Sequence, residues 1–417
     1  MQQSSENPDP KSTADLREAA TNVARTLIDA GYTAYFAGGC VRDKLMGNEP
    51  LDYDIATNAR PEQVCELFER TQLVGEAFGV VLVSTLGYQF EVATFRTDGV
   101  YSDGRHPQSV TYSDAEHDAQ RRDFTINGLF EEPLTGKVID YVNGQEDLSA
   151  KLLKAIGDPQ ARFLEDRLRM LRAVRFAARF GFTIDEQTAE AIRDAAGDIS
   201  GVSRERIGQE LKRMLSHPNR GVAVWELQYL GLDATVLGEE NITVAPTRVG
   251  RLPDDAPYPT ALAAWLLDRD ECSQTSHHVT SRNWGAKLML SNSDQQDFTR
   301  CLSTYQMLIT DWPKAGVAAQ KRHASTDVFT QALMILQTVE PETFVDIRQR
   351  VDFLAQSGLS PDPLISGDDL MALGMTPGPD FKTVLESVYD SQLEGNISDK
   401  KTALALAESI ATTMERD

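Results

Sequence analysis

Two aspartates, Asp52 and Asp54, are the residues whose spacing first suggests chemistry in this chain. Side chains two positions apart point to the same side of a β-strand, so a strand would bring both carboxylates together. Carboxylate oxygens are ligands that Mg²⁺ favours, and protein-bound Mg²⁺ usually shares its coordination shell with substrate phosphates. An Asp-x-Asp sequence also occurs in surface turns and at helix caps, so the pair alone leaves those structures open.

A glycine pair and an arginine, Gly38, Gly39 and Arg42, precede the aspartates. Glycines allow backbone N–H groups to approach a polyphosphate because no Cβ is in the way. The guanidinium group of arginine matches the geometry of phosphate oxygens. A tight turn after the apolar segment 34–37 would also explain the glycines. Together with the two aspartates, the three residues indicate a site for a metal-bound nucleoside triphosphate.

A third carboxylate, Glu91, lies in the second of two β-rich segments, 79–86 and 88–95, which Gly87 separates. The pattern predicts a hairpin. On a strand next to the aspartates, Glu91 would complete a two-metal site and help to deprotonate an attacking hydroxyl. A single charged residue on a solvent-facing strand is the alternative.

Segment 121–127 contains Arg121, Arg122, Asp123 and Asn127. Asp and Asn side chains can hydrogen-bond sugar hydroxyls, while Arg side chains can contact phosphate. A helix start with ordinary surface charges would have the same composition. The segment is therefore a candidate for binding a sugar and its phosphate.

Asp166, Arg169 and Arg172 lie at positions i, i+3 and i+6 of an amphipathic segment, 163–180, for which the pattern predicts one helix. The surrounding residues 151–180 include eight basic and three acidic side chains, in a chain whose net charge is −22. A salt-bridged amphipathic helix is the alternative. The local excess of positive charge favours a surface that binds phosphates.

Length and composition limit the class of protein. The 417 residues favour two or three domains. The four cysteines lie far apart without a C-x-x-C pair, which indicates a reducing compartment and disfavours a disulfide framework or a structural zinc site. No apolar run approaches the roughly 18–20 residues that a membrane span needs. We therefore expect a cytoplasmic protein that does not bind a membrane.

Helix and strand signals alternate in residues 14–150, and later residues are dominated by helix signals. We therefore predict an α+β fold with a mixed-sheet head at 14–150, an all-helical neck at 151–220, and a helical body and tail at 221–417. A strand over 51–56 would carry the two aspartates. Residues 1–13 are polar and are predicted to be a disordered tail.

Taken together, the motifs resemble the class II CCA-adding tRNA nucleotidyltransferases and bacterial poly(A) polymerases of the polymerase-β-like nucleotidyltransferase superfamily. The resemblance covers about residues 20–215 and rests on the segments 38–43, 51–57, 121–127, 165–180 and 203–215. It implies a polymerase-β-like head, a neck that selects the nucleotide, and a body and tail that hold tRNA. It also implies CTP and ATP as substrates, Mg²⁺ in a two-metal site and no organic cofactor.

The resemblance also implies a role for single residues. Asp52 and Asp54 would ligate Mg²⁺, and Glu91 would assist the attacking 3′-hydroxyl. Asp103 and Arg105 would belong to a flexible loop. The residues implied in nucleotide binding are Gly38, Gly39 and Arg42 for the triphosphate, Arg121, Arg122, Asp123 and Asn127 for the sugar and phosphate, and Asp166 and Arg169 for the base, with Arg172 and Arg175 in support.

Hydrogen-bond chemistry supports the assignment of base selection to Asp166 and Arg169. Cytosine and adenine each present an amino donor beside a ring-nitrogen acceptor, which suits a carboxylate beside a guanidinium. Uracil and guanine present a carbonyl beside an N–H, so both contacts would be mismatched. Each buried group left without a partner costs on the order of 1–3 kcal/mol. The pair could therefore select C and A without a nucleic-acid template.

The sequence leaves several alternative functions to consider. A poly(A) polymerase is disfavoured because residues 361–417 carry eleven acidic and four basic side chains. An enzyme that adds only the terminal A stays open, whereas the loop at 97–112 disfavours one that adds only CC. Asp-x-Asp also marks glycosyltransferases that use nucleotide sugars, which lack the other motifs. A non-enzymatic RNA-binding relative would be expected to have lost one of the three carboxylates.

Overall fold

The computed structural model of the protein describes residues 13–74, 79–99, 110–270 and 277–414. The chain divides into two compact units. The first comprises Met1–Met214 and Val222–Thr243, and the second comprises Leu215–Gly221 and Val244–Asp417. The motifs identified from sequence belong to the first unit. Asp103 and Arg105, the residues predicted to form a flexible loop, lie outside the described residues.

The first unit is built around a seven-stranded mixed sheet. Its strands are β1 (Ala34–Ala37), β2 (Asp54–Thr57), β3 (Thr71–Val74), β4 (Val80–Thr85), β5 (Tyr88–Thr94), β8 (Leu129–Glu131) and β9 (Val138–Asp140). They lie in the order β3-β4-β5-β2-β1-β8-β9. Neighbouring strands are antiparallel except β2 and β5, which are parallel. Two small sheets pair β6 (Arg96–Asp98) with β7 (Val110–Tyr112), and β10 (Leu152–Leu153) with β11 (Thr183–Ile184).

Eleven α-helices occur in the described residues up to 237: α1 (Thr13–Asp29), α2 (Gly39–Leu45), α3 (Pro61–Leu67), α4 (Ala115–Gln120), α5 (Gly144–Ser149), α6 (Pro159–Glu165), α7 (Leu168–Phe180), α8 (Glu186–Ala195), α9 (Arg204–Leu215), α10 (Arg220–Tyr229) and α11 (Leu232–Leu237). Helix α1 covers one face of the sheet. Its residues Ala20, Val23, Ala24 and Leu27 follow helical spacing and are all buried in one hydrophobic cluster with residues of the strands.

The predicted hairpin forms from β4 and β5. Its two-residue loop, Leu86 and Gly87, has positive φ angles at both positions, 50° and 75°. This backbone matches the right-handed twist of the paired strands. Alternation along β5 buries Phe90 and Val92 and leaves Glu91 exposed on the other face.

Two elements differ from the sequence predictions. The strand predicted over 51–56 begins at Asp54, so Asp52 precedes β2 instead of lying on it. The helix predicted over 163–180 is divided into α6 and α7, because Asp166 adopts an extended conformation with φ −142° and ψ 104°. Its carboxylate accepts a hydrogen bond from the backbone N–H of Leu168 (3.0 Å), a local bond that competes with a continuous helix.

The second unit is helical in its described residues. Its helices are α12 (Thr247–Arg251), α13 (Tyr258–Asp270), α14 (His277–Lys287), α15 (Asn292–Thr310), α16 (Val317–Ala324), α17 (Asp327–Val339), α18 (Pro341–Ala355), α19 (Gly367–Ala372), α20 (Pro379–Leu393) and α21 (Lys400–Met414). Trp265 and Trp284 are fully buried there, with ring centres 5.1 Å apart. None of the described helices is long and apolar enough to cross a membrane.

The predicted fold class, an α+β chain with a mixed-sheet head followed by helices, is confirmed. One detail is wrong: the neck predicted to be all helical also contains the short strands β10 and β11.

Candidate active site

A polar cavity of about 560 Å³ brings together residues from distant parts of the first unit. Its walls come from the turn between β1 and α2, the chain that leads into β2, segment 121–127, and the residues around α7. The lining residues are Gly38, Gly39, Arg42, Asp43, Leu51, Asp52, Asp54, Arg121, Arg122, Asp123, Asn127, Asp166, Arg169, Arg172, Phe176 and Arg179. Of the predicted site residues that the structure describes, Glu91 and Arg175 are absent from this lining.

The three predicted carboxylates lie near one another at one end of the sheet. Asp54 is the first residue of β2, and the parallel pairing of Ile55 with Val92 places it beside Glu91 on β5. Partial desolvation, followed by the negative charges of Glu91 and Asp52, raises the pKa of Asp54 to about 6, although Arg122 opposes the shift. Burial is thus the main cause of the raised pKa, and repulsion by the two neighbouring carboxylates adds to it.

The chemistry of this carboxylate group fits a divalent cation. In the described residues, no three His, Cys, Asp or Glu side chains are arranged to hold a metal ion directly. Asp52, Asp54 and Glu91 nevertheless supply only oxygen ligands, which Mg²⁺ prefers. A cation between them would also relieve the repulsion that raises the pKa of Asp54.

The glycine turn can pack closely against an arginine of the cavity because Gly38 lacks a side chain. Gly38 has a φ angle of 70°, which favours glycine, and a Cβ at this position would lie 2.9 Å from Nη1 of Arg122. Gly39 begins α2 directly afterwards. The backbone of this turn therefore lies against the arginine that faces the cavity.

A buried ion pair joins segment 121–127 to α7. Nε and Nη2 of Arg172 donate to Oδ2 of Asp123 (2.9 and 2.5 Å), and Oδ1 of Asp123 accepts from Nδ2 of Asn127 (3.0 Å) and from the N–H of Phe124 (2.8 Å). Asn127 in turn accepts from Nη1 of Arg42 (2.5 Å). Burial alone would raise the pKa of Asp123, but the charge of Arg172 and these hydrogen bonds lower it to about 2.

Arg121 and Arg122 share a carboxylate that the sequence analysis did not identify. Asp118 of α4 is buried and accepts from both guanidinium groups, from Arg121 at 2.7 Å and from Arg122 at 3.0 Å. Arg122 also donates to the backbone oxygen of Asn127 (3.3 Å). Asp118 therefore fixes two arginines that line the cavity.

The predicted base-selecting residues both line the cavity, but they do not pair with each other in the structure. Oδ2 of Asp166 accepts from Arg206 (2.9 Å). Arg169 is buried and donates to the carboxylate of Glu165 (2.6 Å) and to the backbone oxygen of Arg121 (3.2 Å). The carboxylate of Asp166 and the guanidinium of Arg169 are therefore held by different protein groups.

Stacked aromatic rings support several arginines. Phe176 and Phe180 lie one turn apart on α7, with parallel rings whose centres are 5.9 Å apart. Arg42 and Arg172 lie over these rings. Arg175 lies over Phe176 but pairs with the buried Glu210 (2.5 Å) instead of facing the cavity.

Sequence reasoning missed several residues of the site. Glu165 and Arg206 hold the pair predicted to select the base, and Arg179 and the strongly exposed Leu51 (83% exposed) line the cavity. Glu165 and Arg179 stood inside recognised segments, and their charge was the available signal. Asp118 lies three and four residues before Arg121 and Arg122, a helical spacing that was the available signal. Arg206 contacts Asp166 across 40 positions, and no local spacing indicates that contact.

Two protein-family models match the first unit. The model described as the poly A polymerase head domain matches residues 34–154, and the one described as a probable RNA and SrmB-binding site of polymerase A matches residues 181–239. The mixed sheet, its carboxylates and the glycine turn thus lie in the part of the chain that resembles the poly A polymerase head domain.

Individual proteins that are similar to this chain are CCA-adding enzymes. The CCA-adding enzyme of Bacillus pumilus (strain SAFR-032) is 34% identical over 405 residues, which cover 92% of this chain and 95% of the relative. That of Geobacillus sp. (strain WCH70) is 42% identical over 216 residues, about half of each chain (52% and 53%). The crystal structure of the Bacillus stearothermophilus CCA-adding enzyme in complex with CTP matches with a TM-score of 0.78 at 27% identity, over 98% of this chain and 100% of that one. The chain belongs to the CCA-adding enzyme family, as the resemblance predicted.

The Asp123–Arg172 pair gives a testable dependence of stability on pH. The folded-state pKa of Asp123 is below its unfolded value, so its stabilisation is complete above about pH 4 and is lost as the pH falls towards 2. Asp123→Asn should lower the free energy of unfolding by about 2 kcal/mol at pH 7. This difference from the wild type should shrink between pH 4 and pH 2 in urea denaturation.

The exposed Asp29 at the end of α1 provides a matched control. Asp29→Asn should leave the free energy of unfolding within about 0.5 kcal/mol of the wild type. A loss in Asp123→Asn that stays constant down to pH 2.5 would show that the charge of Asp123 is not the source of its stabilisation.

Proposed function

We propose that this protein adds CMP, CMP and AMP, from CTP and ATP, to the 3′ end of tRNA without a nucleic-acid template, in the cytoplasm. One observation carries the proposal: a single cavity joins a carboxylate group, a glycine turn with arginines, and the Asp166/Arg169 pair. Those are the three parts that phosphoryl transfer with base selection requires. The family membership supports the same activity.

In the proposed reaction, the 3′-oxygen of the RNA forms a bond to the α-phosphorus while the bond to the leaving pyrophosphate breaks. Asp52 and Asp54 would hold Mg²⁺, and Glu91 would accept the proton of the attacking hydroxyl. Bound metal would supply charge stabilisation to the attacking and leaving oxygens, as in other two-metal sites. Gly38, Gly39 and Arg42, together with Arg122, would hold the triphosphate.

The nucleotide would be oriented by the network around Asp123. Asn127 and Asp123 would position the sugar, while Arg172 keeps Asp123 ionised. Asp166 would accept from the amino group of C or A, and Arg169 would donate to the ring nitrogen. Both oxygens of Asp166 keep a further lone pair after their protein hydrogen bonds, so the carboxylate can still accept from a base.

We further propose that residues 14–150 act as the catalytic head, 151–220 as the neck that selects nucleotides and binds RNA, and 221–417 as a body and tail that bind tRNA. The match of residues 181–239 to a model described as a probable RNA-binding site supports RNA binding near the neck.

Extension of three tRNA transcripts tests the proposed function. The transcripts end before CCA, after C and after CC, and each NTP is offered separately. CTP alone should extend the first two transcripts, and ATP alone should add one residue to the third. Repeated addition of A would instead indicate a poly(A) polymerase, and extension of only the third transcript would indicate an A-only enzyme.

The two aspartates proposed to hold Mg²⁺ give the first prediction for activity. Asp52→Asn or Asp54→Asn should reduce nucleotide addition on the order of 10³-fold or more, because metal-assisted stabilisation of the displacement contributes several kcal/mol. The rate of single-nucleotide addition measures the effect. Glu116→Gln, which removes an exposed carboxylate on α4, serves as the control with unchanged activity. Ordinary turnover by a folded Asp54→Asn protein would contradict the metal assignment.

The Asp166/Arg169 pair gives a prediction for base choice. Replacing both with alanine should allow incorporation of UTP or GTP and slow the addition of C and A, because the double change removes attraction and repulsion together. Asp166→Ala alone should impair C and A and leave Arg169 to favour bases with a carbonyl at that edge. Incorporation of the four NTPs into tRNA lacking CCA measures the outcome.

Arg169 is buried among protein partners, so the melting temperature of each variant must show that it folds. A folded double variant that still selects only C and A, at a reduced rate, would mean that base selection resides elsewhere.

A further inference from the structure

Most of the arginines that line the cavity are neutralised by ion pairs with the protein itself. The lining contains six arginines and five aspartates. Five of these arginines form ion pairs with protein carboxylates: Arg42 with Asp43, Arg121 and Arg122 with Asp118, Arg169 with Glu165, and Arg172 with Asp123. These pairs fix the guanidinium groups but also offset their positive charge.

Arg179 is the exception. It is exposed, lies in the last turn of α7, and forms no ion pair within the described part of the chain. Its guanidinium carbon is 5.2 Å from the centre of the Phe180 ring, a cation–π contact that orients the side chain and leaves its N–H groups free to donate. The sixth arginine of the lining therefore carries the positive charge that no protein group offsets.

Arg179 shares an aromatic contact with Arg42, the arginine next to the glycine turn. The same Phe180 ring also contacts Arg42, at 4.6 Å, and Arg42 belongs to the helix that begins at Gly39. The Phe180 ring thus contacts both the arginine beside the predicted triphosphate turn and Arg179.

We propose that Arg179 binds the polyphosphate of the incoming nucleotide, an inference that rests on the proposed function. A triphosphate brings several negative charges into a cavity whose own charges nearly cancel, and an unpaired guanidinium matches phosphate oxygens in geometry and charge. The triphosphate is common to CTP and ATP, so Arg179 contributes equally to the binding of both and plays no part in base choice.

Binding measurements without RNA test this role apart from catalysis. Arg179→Gln and Arg179→Lys are compared with the wild type by calorimetric titration with CTP, ATP and cytidine in the presence of Mg²⁺. Arg25→Gln is the matched control, because Arg25 is exposed on α1, away from the cavity. Arg179→Gln should weaken the binding of CTP and of ATP by about 10-fold to 100-fold, the usual effect of a hydrogen bond to a charged group.

The same series should leave cytidine binding unchanged, since cytidine carries no phosphate. Arg179→Lys should recover part of the affinity for both triphosphates, and Arg25→Gln should bind like the wild type. In addition assays, Arg179→Gln should raise the KM for CTP and ATP while the KM for tRNA stays the same.

Three results would overturn the inference. Unchanged CTP affinity with weaker tRNA binding would make Arg179 a contact to the RNA backbone, and no change in either would make it a simple surface charge. Unequal losses for CTP and ATP would show a contact to the base. Failure of the wild type to extend any tRNA would contradict the proposed function but leave the comparison of CTP with cytidine valid.

Discussion

The buried carboxylate of Asp123 is the constraint on which the arrangement of the cavity depends. It accepts from Arg172 and Asn127, and Asn127 accepts from Arg42. A buried carboxylate is tolerated only when it is paired and hydrogen-bonded, so the loss of one of these partners would cost free energy. These contacts therefore join three segments that are far apart in sequence: the turn after β1, segment 121–127 and α7. The position of the predicted phosphate-binding turn relative to α7 therefore depends on this network.

Ion pairs also explain how a chain with a net charge of −22 can present a cavity rich in arginine. Asp118 and Glu165 hold their arginines in fixed positions, and the parallel rings of Phe176 and Phe180 hold others by cation–π contacts. Guanidinium groups that are already ordered lose little conformational freedom when a ligand arrives. The cavity therefore holds oriented hydrogen-bond donors without a large unbalanced positive charge.

The sequence predicted those features that depend on local chain geometry. The hairpin of β4 and β5 follows from alternation and from a two-residue loop, and the proximity of Asp54 to Glu91 follows from neighbouring strands. The division of 163–180 was not predicted, because apolar residues continue at helical spacing through it, although Leu164 is in fact exposed. At the break, Asp166 is extended and its carboxylate accepts a hydrogen bond from the backbone N–H of Leu168. The contacts of Asp166 with Arg206 and of Arg172 with Asp123 join residues 40 and 49 positions apart, and only the folded chain brings them together.

The break between α6 and α7 has a consequence for base selection in the proposed reaction. Asp166 and Arg169 are three positions apart in the sequence. On one continuous helix, side chains with this spacing are neighbours, and opposite charges there pair readily with each other. Their mutual neutralisation would leave neither group for a base. In the structure, Asp166 is extended and held by Arg206, while Arg169 is held by Glu165 and the backbone of Arg121. Separate partners thus hold a carboxylate acceptor and a guanidinium donor in the same cavity, and the proposed reaction requires one of each for the amino group and ring nitrogen of C or A.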